Sequence, residues 1–164
     1  MLSNSSDFGV RDYSGKYSIY KPTRSVSGAA VQFDFNCSKK SVFVEAAKQV
    51  PVPAGSTAQH AFDWGNKLVF KLASTDLGKL LVVLEAKSKS AELFHDPGKG
   101  GYSLSAEVKN SALSLSKGDY GFFFKLSSQA RESGVYAVTL GISEDEATVL
   151  RILFTRAIEA SYGW

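Results

Sequence analysis

Leu68-Val69-Phe70-Lys71-Leu72-Ala73-Ser74-Thr75-Asp76-Leu77 and, further along, Tyr136-Ala137-Val138-Thr139-Leu140-Gly141-Ile142-Ser143-Glu144-Asp145-Glu146 state one plan twice. In each, apolar residues alternate with polar or small ones, the period of a half-buried strand. Each then meets a Ser/Thr/acidic cluster that suits a helix start, and a strongly apolar helix follows. The repeat divides the chain into two sheet-then-helix units, residues 15–87 and 91–162, within one domain at 15–164. Residues 1–14 read as a polar tail.

Working outward from the first copy, Lys16–Lys21 alternates and stops at Pro22, which cannot donate to a sheet ladder. Residues 29–35 set Val31, Phe33 and Phe35 on one face, with Gln32 and Asp34 on the other. Residues 41–46 make a third strand and 51–56 a loop by composition. Residues 61–64 lead into Leu68–Leu72, where Leu68, Phe70 and Leu72 face in and Lys67 and Lys71 face out. Ser74 is the expected N-cap, with Asp76 at the positive end of the helix. In the second unit the expected strands are 92–95, 102–108, 121–126 and 135–140, with a turn at 96–101. Ser143 and Glu146 form a capping box. The fold class is α+β, ββββα repeated twice, and Tyr162-Gly163-Trp164 should anchor the end of the second helix.

Both helices carry more apolar residues than one face needs. The run Leu80-Leu81-Val82-Val83-Leu84 covers several sides, as do Val149, Leu150, Ile152, Leu153 and Phe154. An oligomer whose helices form its core accounts for this, with Leu77, Leu80, Leu81, Leu84, Leu150, Leu153, Phe154 and Ile158 in that core. A compact monomer with both helices sandwiched between two sheets is the alternative.

The 164 residues are 44% hydrophobic with a mean hydropathy of −0.08, values of an ordinary globular domain. No apolar run reaches the roughly 18–20 residues a membrane-spanning helix requires, so no membrane partner is expected. One cysteine, Cys37, excludes an intrachain disulfide framework and points to a reducing compartment. The net charge is +3, but four acidic and two basic residues fall from Ser143 onward. That leaves 17 basic and 12 acidic residues in 1–142, a body with more positive charge, as a polyanion-binding sheet requires.

Catalytic constellations are sparse. His95 and Asp96 are neighbours in a strand and point to opposite faces, so they make no acid–base pair. With His60 the only other histidine, a His-rich metal site is excluded, and neither an enzyme, a metal nor a cofactor is expected. Gly98-Lys99-Gly100-Gly101 lacks phosphate-loop spacing and leads into a strand; at most Lys99 touches a phosphate. The remaining candidate is the outward sheet surface. Lys16, Ser18, Tyr20, Lys21, Arg24, Lys40, Lys67, Lys71, Lys99, Lys109 and Lys125 mix cations, hydroxyls and an aromatic ring. Single-stranded nucleic acid binds through such a mixture, cations tracking phosphates and rings offering π-faces to bases.

Two capped sheet–helix units, Tyr17-Ser18-Ile19-Tyr20-Lys21, Asp63-Trp64, Phe70 followed by Thr75-Asp76-Leu77-Gly78, then Phe94-His95-Asp96-Pro97 and the terminal Gly163-Trp164 together resemble the Whirly family. The resemblance implies two antiparallel four-stranded sheets packed roughly perpendicular and a tetramer built on the helices. It also implies single-stranded nucleic-acid binding on outward sheet faces and edges, in an organelle. One departure is clear. Plant members carry Lys-Gly-Lys-Ala-Ala-Leu after the first strand, and here only Lys21 matches before Pro22-Thr23-Arg24-Ser25-Val26. That departure and the basic sheet favour the other branch with this fold, and the chain resembles the kinetoplastid mitochondrial guide-RNA-binding proteins. This implies a homo- or hetero-tetramer with a related subunit that binds guide RNA through its backbone and promotes annealing in mitochondrial RNA editing. A single-stranded DNA-binding protein of organelle genome maintenance or transcription, plastid included, is the alternative.

Overall fold

The structure, a computed structural model, describes residues 15–96, 108–130 and 134–164. The first unit contains β1 (Lys16–Lys21), β2 (Ala29–Asn36), β3 (Ser41–Val50), β4 (Ala61–Phe62), β5 (Leu68–Leu72) and helix α1 (Ser74–Leu84). The second contains β6 (Ser90–His95), β7 (Val108–Lys117), β8 (Phe122–Ala130), β9 (Gly134–Ile142) and helix α2 (Glu144–Tyr162). All pairings among the described residues are antiparallel. Sheet one runs β1-β2-β3-β5, and the two-residue β4 joins the same edge of β3 beyond the end of β5. Sheet two runs β6-β7-β8-β9. The expected ββββα repeat is therefore present in both halves.

Alternation decides which face each strand buries. Ile19, Val31, Val44 and Phe70 from sheet one and Leu93, Leu113, Leu126 and Val138 from sheet two all turn inward and are almost fully enclosed. Each such side chain contributes about 1.5–3 kcal/mol on leaving water. Phe33 stands where the halves meet, edge-on to Phe124 (6.2 Å) and to Phe154 of α2 (5.8 Å). The helices cross over: α1 rests on β6 and β7 of the other unit, α2 on β3, and the helices touch each other. The two units thus share one core.

Several local expectations need correction. The N-cap of α1 is Ala73, with Ser74 the first helical residue, and the Asp76 carboxylate accepts the Ala73 N–H at 3.0 Å. Ser74 instead shares a hydrogen bond of 2.9 Å with the Tyr162 hydroxyl. Trp64 belongs to a 3₁₀ turn (Trp64–Asn66), not to a strand. The second strand of unit two is Val108–Lys117, whereas 102–108 was expected; of that stretch, 102–107 lies outside the described residues, as do 97–101 of the expected turn. The Ser143–Glu146 capping box is present, Glu146 accepting the Ser143 N–H at 2.8 Å. At the other end of α2, Gly163 takes the left-handed conformation (φ 72°) and Trp164 N–H returns to the Glu159 carbonyl at 2.9 Å. Trp164 then stacks on Tyr162 (4.7 Å), the expected aromatic anchor.

Candidate nucleic-acid interface

The register of each sheet fixes what its outward face displays. On sheet one, residues paired across strands form one row of Lys16, Asp34, Phe43 and Lys71 and another of Ser18, Gln32, Glu45 and Val69. A third row holds Tyr20, Ala30 and Ala47. Ala30 and Ala47 are fully buried although they face outward. The Tyr20 ring meets Phe62 of β4 at 5.6 Å and the two rings close over the alanines, whose small side chains leave room for that contact. Tyr20 remains 52% exposed, an aromatic plate on the sheet. Lys39 extends the first row, lying over the Phe43 ring at 5.3 Å.

The expected cations do not all reach this face. Lys16 and Lys71 are exposed at its two edges. Lys67 is there too, but its ammonium is 3.0 Å from the Glu45 carboxylate, which neutralises it. Lys21 is a correction to the expected surface. It pairs with Ala29, on the inward side, because strand alternation separates it from Tyr20. Its ammonium ties β1 to the start of α2 through Glu146 at 2.8 Å. Burial raises the Glu146 carboxyl, but Lys21 and the Ser143 N–H outweigh it and hold that carboxyl below its ordinary value. Burial raises the Tyr17 phenol, and the acidic helix start, Glu146 and Asp145, adds to it. Arg24 is exposed in the β1–β2 loop. Lys40 is exposed in the β2–β3 turn, where its carbonyl accepts from Ser161 at 3.5 Å.

Sheet two presents a different surface. Its outward rows are Ser90, Ser116, Phe123 and Gly141; Glu92, Ser114, Lys125 and Thr139; and Phe94, Ala112, Ser127 and Ala137. Small and hydroxyl residues make it smooth, and two phenylalanines stand out from it, Phe94 at 72% and Phe123 at 66% exposure. Glu92, Phe94, Ser114, Lys125 and Ser127 line a hollow of about 100 Å³ floored by Ala112 and Leu113. Lys125 is exposed as expected. Lys109 lies on β7 beside a register shift between Val108 and Asn110, and Lys99 is outside the described residues. Larger clefts open at the sheet edges. One of about 350 Å³ separates Gly28 and Gln49 from Ala137 and Thr139 of β9, near Lys48, whose ammonium sits 4.2 Å over Tyr136.

The histidine expected to be inert is structural. His95 stacks on Phe70 at 4.0 Å and its Nε2 lies 3.5 Å from Asp76, joining the edges of the two units. Among the described residues no group of three metal-ligating side chains converges.

The profile described as "Whirly transcription factor" matches residues 24–153. The chain belongs to the Whirly family. It is 32% identical over 161 residues to the maize chloroplastic single-stranded DNA-binding protein WHY1, a match covering 90% of this chain and 56% of that protein. It is 34% identical over 115 residues to WHY3 of Arabidopsis thaliana, also chloroplastic and single-stranded DNA-binding, with 68% of this chain and 41% of that protein covered. The chain thus spans about half the length of the curated relatives it matches. The crystal structure of Arabidopsis WHY3 superposes with a TM-score of 0.69 at 26% identity, covering 91% of this chain and 89% of that one. A guide-RNA-binding protein complex bound to guide RNA shares the fold at TM-score 0.65 and 15% identity, covering 93% and 95%.

Sequence reasoning did not single out Lys39, Phe94 and Phe123, which the structure leaves exposed at the sheet surfaces. The two phenylalanines carried a readable signal: each occupies the outward position of an alternating strand whose neighbours, Leu93 or Phe122 and Phe124, are buried. Of the helix residues expected in an oligomer core, Leu77, Leu80, Leu84, Leu150 and Phe154 are enclosed within the chain's own core. Leu81, Leu153 and Ile158 are half-buried, and the exposed apolar positions are Val82, Val149 and Ile152.

Proposed function

We propose that this chain is a non-catalytic single-stranded nucleic-acid-binding protein that uses both outward sheet faces. The observation that carries this reading is the set of exposed rings, Tyr20, Phe94 and Phe123, standing on sheet surfaces rich in small and polar residues. A ring kept in water on a sheet face gives up burial energy and offers a stacking surface to any base. Lys16, Lys39, Lys71 and Lys125 would meet phosphates around them. Single-stranded DNA is the favoured polymer, since the sequence relatives bind it. Asp34, Glu45 and Glu92 interrupt the lysines, which suits stacking better than purely electrostatic capture.

The competing reading is guide RNA held by its backbone, bases outward, and annealed to a second strand for editing. It needs those four lysines to supply nearly all the affinity. Assembly would use Val82, Val149 and Ile152 with Leu81, Leu153 and Ile158, giving a tetramer whose sheets point outward. The chloroplastic relatives support a plastid location, and the mitochondrial expectation goes with the RNA reading.

Competition among single-stranded DNA, single-stranded RNA and duplex, repeated from 50 to 300 mM salt, tests the proposal. Stacking predicts single strands over duplex and a shallow salt slope. Preference for RNA with a steep slope and accelerated annealing favours the second reading. Retention of none of the three ends both.

A further inference from the structure

Glu92 is out of place on a surface that meets a polyanion, and its position gives it a use. Glu92 on β6 and Lys125 on β8 share one cross-strand row with Ser114 between them, so their backbones are about 10 Å apart. Neither makes an ion pair with the other or with any other described residue. Between them lies the hollow of about 100 Å³, walled by Phe94 and edged by the Ser127 hydroxyl. The hollow is thus bordered by an acceptor-only carboxylate and a donor-only ammonium, with a phenyl side chain beside them.

From this geometry we propose that the hollow is a base-selective subsite that takes cytosine and disfavours thymine or uracil. The inference rests on the single-strand reading above. Cytosine presents an exocyclic amine at C4 and oxygen at C2. Its amine donates to the Glu92 carboxylate while O2, with N3, accepts from Lys125. Thymine and uracil place a carbonyl oxygen where the amine would be, and that oxygen meets Glu92 lone pair to lone pair. Carboxylate acceptance from the cytosine amine is a known mode of base discrimination, worth roughly tenfold or more per well-made contact. The register of β6, β7 and β8 sets the two charged side chains on one face with a single strand, at Ser114, between them.

The experiment is a competition on the full chain between dC12 and dT12 for a labelled mixed-sequence strand, with wild type and E92Q. Wild type should release the label at about tenfold lower dC12 than dT12. E92Q offers both an acceptor and a donor, so the two competitors should become equivalent through a gain by dT12. A dC12 analogue dimethylated on the exocyclic nitrogen should fall to the dT12 level. Equal competition by dC12 and dT12 with wild type overturns the subsite while leaving single-strand binding intact. An E92Q variant that strengthens both competitors alike, keeping their ratio, reduces Glu92 to a repulsive charge and also overturns it. Failure of wild type to bind the labelled strand removes the subsite together with the single-strand reading.

Discussion

The two outward sheet faces come from the same repeated plan and are chemically unlike. The face of β1-β2-β3-β5 interleaves cations with Asp34 and Glu45 and covers Ala30 and Ala47 with paired rings. The face of β6-β7-β8-β9 is nearly neutral, rich in serine, and leaves Phe94 and Phe123 exposed. Their inward faces are alike because both must fill one core. Outward residues are released from that constraint, so a duplicated architecture can carry two different binding surfaces.

The largest effect tests what the halves have in common. Phe33→Ala removes the ring that meets both Phe124 and Phe154, and should cost about 3–5 kcal/mol. Thermal melting followed at both near- and far-ultraviolet wavelengths should fall as one transition; two separated transitions would mean that the halves do not share a core.

Next come the faces themselves. Tyr20→Ala and Phe94→Ala should each weaken single-strand binding by about 1–3 kcal/mol with the salt dependence unchanged. Lys16→Ala and Lys71→Ala should instead lower the salt slope by about 0.7 each, the single-strand value for one phosphate contact. A lysine variant that leaves the slope intact would remove that residue from the phosphate path.

A smaller effect separates the lysines that look alike in sequence. Lys21→Met should cost about 1 kcal/mol at neutral pH, a partly exposed pair being worth little more. Glu146 is held low in the folded state, so its contribution is complete at neutral pH and is lost as pH falls through its folded value. Lys21→Met should therefore flatten the loss of stability as pH falls below the ordinary glutamate range, measured by urea unfolding. The smallest is Lys67→Ala, with a stability change below about 1 kcal/mol and a salt slope like wild type, because Glu45 already neutralises it.

The strand–helix repeat was legible because burial on one face writes a period into the chain. Val31, Phe33 and Phe70 announce their strands, and Ser143 with Glu146 announces a helix start. The strand Val108–Lys117 was missed although Ala112-Leu113-Ser114-Leu115-Ser116 alternates, since serine is a weak outward marker. The candidate surface was legible only in part. Composition counts lysines without their partners, and the partners of Lys21 and Lys67 come from other strands or from α2.

The sequence by itself determined the two units, their inward faces and the family, because alternation and capping are local properties of a chain. Tertiary structure alone decided which lysines are paired with carboxylates and which helix residues stay exposed. It also decided that Glu92 and Lys125 line one hollow. Those outcomes depend on strand register and on the crossing of each helix onto the other unit, contacts between residues far apart in the chain that no local pattern records.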